Sequence, residues 1–147
     1  MKHWLSKVRQ AGLVIGVVLA GLSAGVVMAA EKMPKEKVVF QVSEANPKSW
    51  GLTLNNAKNV QDAIGKENVE VEIVVYGPGI GMVKFDSPMN DRIAEAADSG
   101  VKVVACENTM KAQGLKHEDM LAKVGFVPAG VVELMRKQQQ GYAYIRP

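Results

Sequence analysis

The sequence predicts an α/β protein in which helices cover both faces of a mainly parallel sheet of five strands, a three-layer α/β/α arrangement. Short segments rich in β-branched residues alternate with single segments of helical length, which is the order of parallel strand–helix–strand units. Glycines follow most of the helical segments and stop them. The segment VEVEIVVYG (69–77) ends in a continuous apolar run, as strands buried on both faces do.

The N-terminal segment has the pattern of a secretory signal. The first ten residues carry three cations and no acid, and residues 11–28 are apolar except for one serine. Small residues around Ala29 predict cleavage after Ala29 or Ala30, so we expect residues 1–29 to be a signal peptide and the protein to be periplasmic. An uncleaved membrane anchor is the alternative, because an apolar stretch of this length is near the lower limit for spanning a bilayer.

Removal of this segment changes the charge of the protein. The chain has 18 Lys and Arg residues against 15 Asp and Glu residues, but three of the cations lie in the first ten residues. The mature domain is therefore about neutral, and its charge predicts no affinity for nucleic acid or for an anionic membrane surface. The remaining chain is long enough for one hydrophobic core and too short for two.

The first half of the mature chain contains two predicted strands and one helix. A short charged tether (30–36) precedes the strand KVVFQVS (37–43), which is rich in β-branched residues. The helix after Asn46 and Pro47 ends at Gly65, and its apolar residues fall at helical spacing. This apolar stripe consists of Trp50, Leu54, Ala57, Val60 and Ile64. The strand 69–77 follows.

The second half begins with a glycine-rich connection, GPGIGMVKFDS (77–87). Ser87 and Pro88 are typical of a helix start, and Gly100 ends the helix that follows. The strand VKVVA (101–105) comes next. The remaining predicted elements are a helix from Asn108 or Thr109 to Gln113, a turn over 117–123, a strand over 124–128, a helix over 130–140 and an edge strand over 142–145.

The predicted topology indicates where a functional site would form. In open parallel sheets, ligands bind at the carboxyl ends of the strands. The connections at that edge are residues 43–46, 77–81, 106–109 and 128–130, and the only cysteine of the chain lies on one of them. A single cysteine cannot form an intramolecular disulfide, so this thiol is buried and inert, paired between chains, or kept for chemistry.

Cys106 follows a strand and precedes a helix. The free N–H groups and the positive end of that helix would stabilise a thiolate, and the predicted donors are Asn108, Thr109 and the backbone around Met110. The negative charge of Glu107 would instead raise the pKa of the thiol if its carboxylate pointed towards the sulfur. A buried structural cysteine is the alternative, because free cysteines are among the most buried residues in proteins.

From residue 38 to residue 147 the sequence resembles the DsrE/DsrF-like family of small sulfur-relay proteins, and most closely its exported single-domain branch. The segments that carry the resemblance are VVAC (103–106) with Asn108-Thr109-Met110, Gly114-Leu115, VPAGV (127–131) with Glu133-Leu134, and QGYAYI (140–145). We therefore interpret residues 37–147 as one domain of this kind.

The resemblance implies a Rossmann-like protomer that assembles into homo-oligomers, often trimers or hexamers. It also implies that Cys106 accepts sulfane sulfur as a persulfide and passes it on, so sulfur donor and acceptor proteins are the expected partners. The segment 107–111 departs from the cytoplasmic relay members, which have a small-residue helix and an Arg-Gly pair there. His117 is a candidate for proton transfer, with a solvated histidine as the alternative.

Other site types have weaker support in the sequence. Gly77, Gly79 and Gly81 do not form a nucleotide-binding motif, because no Walker lysine follows and Pro78 lacks an N–H group. We expect these glycines, together with Pro128, to line a pocket above the cysteine. One cysteine and one histidine in the mature chain do not form a zinc site, and we expect no metal and no cofactor.

Two functions of different classes follow from these observations. The first is an exported, homo-oligomeric sulfur-handling protein, a possible sulfurtransferase or sulfur carrier, with Cys106 as the reactive group. The second is a non-catalytic oligomeric binding or assembly module on the same fold, in which Cys106 is structural. Binding of a small ligand without sulfur chemistry is a third hypothesis.

Overall fold

The computed structural model describes residues 35–147, so the predicted signal peptide and most of the predicted tether lie outside the described residues. The described chain forms one five-stranded parallel sheet in the order β4-β3-β2-β1-β5. The elements are β1 (Glu36–Val42), α1 (Pro47–Ile64), β2 (Val69–Val75), a 3-10 helix (Gly77–Val83), α2 (Asn90–Asp98), β3 (Lys102–Cys106), α3 (Glu107–Ala112), a short 3-10 helix (His117–Asp119), β4 (Gly125–Val127), α4 (Gly130–Gln139) and β5 (Ala143–Ile145). The predicted α/β fold is confirmed.

The strand order explains which helices share a face of the sheet. From β1 to β4 the chain moves in one direction across the sheet, and α4 then returns over it to place β5 beside β1. Crossover connections between parallel strands are right-handed, so a reversal of direction moves the connecting helix to the opposite face. Accordingly, α1 and α2 pack on one face and α4 packs on the other.

The face under α1 and α2 contains the larger hydrophobic core. Phe40 and Ile73 from neighbouring strands are fully buried there against Trp50 and Leu54 of α1 and Ile93 of α2. The Trp50 indole N–H donates to the Glu44 carbonyl oxygen at 2.7 Å, so the one polar atom of this ring is satisfied.

The face under α4 has a smaller core and carries buried charge. Its apolar residues are Val39, Val74, Val104, Val127, Leu134 and Tyr142. Between them Glu72 of β2 is buried and pairs with Lys137 of α4. Because successive residues of a strand point to opposite faces, Glu72, Val74, Val104 and Cys106 are all directed to this side.

Several element boundaries differ from the sequence prediction, most of them by one or two residues. The glycine-rich connection forms a 3-10 helix at Gly77–Val83, and α3 begins at Glu107 because Cys106 itself is its N-cap residue. The helix predicted to start at Ser87 begins at Asn90. The Ser87 hydroxyl accepts a hydrogen bond from the Met89 N–H at 3.1 Å and donates one to the Met82 carbonyl oxygen, so it caps the turn that precedes α2.

Within residues 35–147, no helix has the length and apolar character needed to cross a bilayer.

Candidate functional site

Cys106 is the last residue of β3 and lies at the carboxyl edge of the sheet. It pairs in register with Val127 of the neighbouring strand β4. Two helices therefore begin beside it, because α3 follows directly from β3 and α4 follows β4 after a short connection. The N-termini of two helices converge on one thiol.

Polar groups from both helices stabilise a negative charge on the Cys106 sulfur. They are the Gly130 N–H at the start of α4, and the Asn108 N–H, Thr109 N–H and Thr109 hydroxyl from α3. The Asn108 N–H also donates to the Pro128 carbonyl oxygen at 3.2 Å, which links α3 to the connection before α4. Unpaired amides at helix starts are the groups that stabilise an anion at such a position.

The pKa of the Cys106 thiol is lowered in this environment. Burial acts in the opposite direction and raises the pKa, because it disfavours the charged form. The four hydrogen bonds outweigh burial, first that of the Gly130 amide and then those of Thr109 and Asn108. The site therefore favours the thiolate, which is the nucleophilic form of cysteine.

The Thr109 hydroxyl is oriented by a third segment of the chain. The Gly77 N–H donates to Thr109 Oγ1 at 2.9 Å. A hydroxyl has a single proton to donate, and an oxygen that accepts the Gly77 N–H can direct that proton to the sulfur of Cys106. The connection after β2 thereby takes part in the site through Thr109.

The thiol is shielded from solvent. Cys106 is 5% exposed in the protomer, although its neighbours Asn108 and Pro128 are exposed. Its surroundings are polar, since N–H and O–H groups of Gly130, Thr109 and Asn108 act to lower the pKa of the thiol. The structure thus combines a thiolate-stabilising environment with limited access.

The glycines of the 3-10 helix have mainly packing roles. A Cβ on Gly79 would lie 2.7 Å from the Val42 carbonyl oxygen, and one on Gly81 would lie 3.3 Å from the Trp50 ring. Gly77 has a φ of +55°, which favours glycine. Of the three, Gly77 is the one that contacts the site, through Thr109. Met110 packs in the core under α1 and α2.

His117 contacts Glu107, the residue after Cys106, and is not among the groups that lower the pKa of the thiol. Its exposed ring stacks on Phe126 with centroids 3.7 Å apart, and its Nε2 is 3.1 Å from Glu107 Oε1. This pair draws the Glu107 carboxylate towards the imidazole. Glu107 is the residue after the cysteine, so this pair lies beside the site.

Gly130 lies in the connection 128–130 that the sequence analysis placed at the carboxyl edge, but its amide was not predicted as a group that stabilises the thiolate. Its N–H donates to the thiol, and a Cβ at this position would lie 3.1 Å from Tyr76 Cβ. The signal in the sequence is the helix start after Pro128 and Ala129. This helix start reaches Cys106 only because β4 lies beside β3, and the order of the strands cannot be read from the sequence.

Within residues 35–147, no group of three or more His, Cys, Asp or Glu side chains is placed to hold a metal ion.

Comparisons with known proteins identify relatives of the whole described domain. The sequence model of the DsrE/DsrF-like family matches residues 36–147. The structure of a protein of unknown function, MTH1491 from Methanobacterium thermoautotrophicum, matches with a TM-score of 0.73 at 34% identity and covers 77% of this chain and 100% of its own. BT1422 from Bacteroides thetaiotaomicron, a conserved protein of unknown function, shares the fold with a TM-score of 0.62 at 15% identity, over 76% of this chain and 95% of its own. No curated protein matches the sequence.

Proposed function

Since the chain belongs to the DsrE/DsrF-like family, we propose that its Cys106 accepts sulfane sulfur as a persulfide and passes it to an acceptor thiol. Membership of this family implies a role in sulfur relay in general. The observation that supports the finer proposal is the convergence of three backbone amides and the Thr109 hydroxyl on the one thiol of the chain. These donors lower the thiol pKa, so the nucleophile forms without a dedicated base.

The proposed reaction consists of two sulfur transfers. The Cys106 thiolate attacks the outer sulfur of a donor persulfide, R–S–SH, forming Cys106–S–SH and releasing the donor as its thiolate, R–S⁻. An acceptor thiolate then attacks the outer sulfur of Cys106–S–SH and takes it as its own persulfide. Cys106 leaves as a thiolate, which the same donors stabilise, and neither step needs a further oxidant or reductant.

The mass of the protein after incubation with a persulfide donor tests this proposal. The protein treated with glutathione persulfide should gain ~32 Da, one sulfur atom, and should lose it again when an acceptor thiol is added. The Cys106→Ser variant should gain nothing. The proposal fails if the wild-type protein forms no adduct with glutathione persulfide and thiosulfonate donors under native conditions.

The low exposure of the thiol supports a second candidate function. A cysteine that is 5% exposed also fits a non-catalytic binding or assembly module in which Cys106 is structural. Alkylation with iodoacetamide at neutral pH separates the two. A carrier thiol should be alkylated in the native protein, whereas a structural one should react only after the protein is denatured.

We also propose that the protein acts in the periplasm after export. The support is the cationic and apolar pattern of residues 1–29, which lie outside the described residues. Protein recovered from the periplasmic fraction should begin at residue 30 or 31 by mass. Recovery in the membrane fraction with an intact N-terminus would instead indicate the uncleaved anchor.

Homo-oligomerisation, as a trimer or hexamer, is a further part of the proposal. Val131 and Met135 of α4 and Tyr144 of the edge strand β5 are exposed apolar residues on one surface of the fold, and we propose that they contact a second copy of the chain. Light scattering should give a multiple of the protomer mass for the wild type. Met135→Asp should lower it, and Phe85→Asp, on an exposed residue of a different surface, should not.

A further inference from the structure

A cavity lies on the α4 face, towards the amino ends of the strands and away from Cys106. Its volume is about 410 Å³, which is within the size range of small-ligand sites. Its titratable lining residues are Lys35, Lys66, Lys102, Lys137, Glu70, Glu72 and Tyr142. We propose that this cavity, the basic cavity, binds a small oxyanion that retains a proton, of the class of hydrogen phosphate.

The charge of the basic cavity favours an anion. Four lysines face two carboxylates, and one of the carboxylates, Glu70, already accepts the Tyr142 hydroxyl at 2.5 Å. This hydrogen bond lowers the pKa of Glu70, so it stays ionised and remains engaged by the phenol. The ammonium groups of Lys35 and Lys66 have no ion pair within the described residues and are available to a ligand.

Lys137 lines the cavity and is held in place by its neighbours. Its Nζ is 2.8 Å from Glu72 Oε2, 3.7 Å from Glu133 Oε1 and 4.7 Å from the centre of the Tyr142 ring. Burial lowers the pKa of Lys137, but the hydrogen bond and charge of Glu72 outweigh it and raise the pKa. A charged ammonium group is therefore fixed in the lining of the cavity.

Glu72 indicates what kind of anion the basic cavity would select. Its side chain is 2% exposed, and its Oε2 faces both Lys137 and Lys102, the latter at 3.3 Å. Its other oxygen, Oε1, is buried and has no hydrogen-bond partner. A buried acceptor without a donor costs free energy, so a ligand that supplies a donor is favoured over one that does not.

A carboxylate oxygen can only accept a hydrogen bond, so the ligand oxygen that meets it must carry a proton. Near neutral pH, inorganic phosphate keeps at least one P–O–H group, whereas sulfate has none. The lysines would bind the ionised oxygens of either anion. Glu72 Oε1 would accept the P–O–H of phosphate and repel the corresponding oxygen of sulfate.

Titration of the purified protein with inorganic phosphate and with sulfate, at constant ionic strength, tests the proposal. Two-dimensional amide NMR should show saturable shifts at Gly100, Lys102 and Tyr142 with phosphate, and about tenfold weaker binding of sulfate, the value of one hydrogen bond to a charged group. Equal affinities for the two anions would overturn the proposed role of Glu72. The absence of saturation, or shifts spread over all lysines of the surface, would overturn the site itself.

Two variants locate the binding. Lys102→Met should weaken phosphate binding several-fold, and its side chain is 59% exposed, so the fold should tolerate the change. Lys48→Met, on an exposed lysine at the start of α1, is the matched control and should bind phosphate as the wild type does. Glu72→Gln should remove most of the difference between phosphate and sulfate. If that variant does not fold, the comparison of the two anions on the wild type still decides the role of Glu72.

Discussion

The two faces of the sheet differ in what they bury. The face under α1 and α2 is covered by two helices and is almost entirely apolar, with Phe40, Ile73 and Ile93 at its centre. The face under α4 is covered by a single helix and contains the buried carboxylate of Glu72, the lysine that pairs with it, Lys137, and the thiol. The first face provides most of the hydrophobic stabilisation, and the second provides the polar groups from which a site can be built.

Helix α4 connects the two polar regions of its face. The amide of Gly130 at its start donates to Cys106, and Lys137 near its end pairs with Glu72. Both interactions match the helix dipole, whose positive end favours an anion and whose negative end favours a cation. One helix thus places a donor at each edge of the sheet, while α1 and α2 serve the core.

The largest expected effect is a difference in stability between the two faces. Ile73→Ala should lower the free energy of unfolding by about 4 kcal/mol, because it opens a cavity in a closed core. Leu134→Ala on α4 should cost about 2 kcal/mol, because its site borders exposed residues and can relax. Urea unfolding of the two variants measures the difference. Equal losses would contradict the division into a core face and a site face.

A smaller effect, confined to the α4 face, is expected for Gly130→Ala. The added Cβ would lie 3.1 Å from Tyr76, so α4 must shift at its start, at a cost of roughly 1–2 kcal/mol. The shift moves the Gly130 amide away from the thiol and should raise the Cys106 pKa. Gly81→Ala, which meets the Trp50 ring at 3.3 Å, is the control. It should change stability and leave the pH dependence of alkylation unaltered.

The smallest expected change comes from the Thr109 hydroxyl. Alkylation of Cys106 requires the thiolate, so its rate should rise with pH through the lowered pKa of the thiol and then level off. Thr109→Val removes one donor to the sulfur and should move this profile to higher pH, slowing alkylation at neutral pH by roughly tenfold. Thr109→Ser keeps the hydroxyl and should retain the wild-type profile. A profile that Thr109→Val does not move would show that this hydroxyl does not stabilise the thiolate.

Much of the fold followed from local patterns. The positions of the strands, the alternation with helices and the location of Cys106 at a strand end depend on periodicity and on breakers such as Gly65 and Gly100, which act over a few residues. The predictions were less accurate for boundaries that depend on contacts with distant segments of the chain. The segment 77–87 was predicted as a glycine-rich connection, and Gly77–Val83 within it form a 3-10 helix in which Gly79 packs directly on the Val42 carbonyl at the end of β1.

The site divides in the same way. The amides of Asn108 and Thr109 were expected from the sequence because they follow Cys106 directly in the chain. The Gly130 amide was not, since the two residues meet because β4 pairs with β3. The hydrogen bond from the Gly77 N–H to Thr109 Oγ1 was not predicted either, because it joins two connections that are far apart in the chain.

The sequence alone determined that this protein is a parallel α/β domain with a single thiol at the carboxyl edge, because local spacing sets each element and parallel strands share that edge. The tertiary structure decided how that thiol is solvated, and that Glu72 is buried beside Lys137. Those outcomes depend on which strands are neighbours and on which face α4 lies, and such contacts join residues far apart in the chain. No local sequence pattern predicts these contacts, because each of the two residues in a contact could equally well pack against other residues.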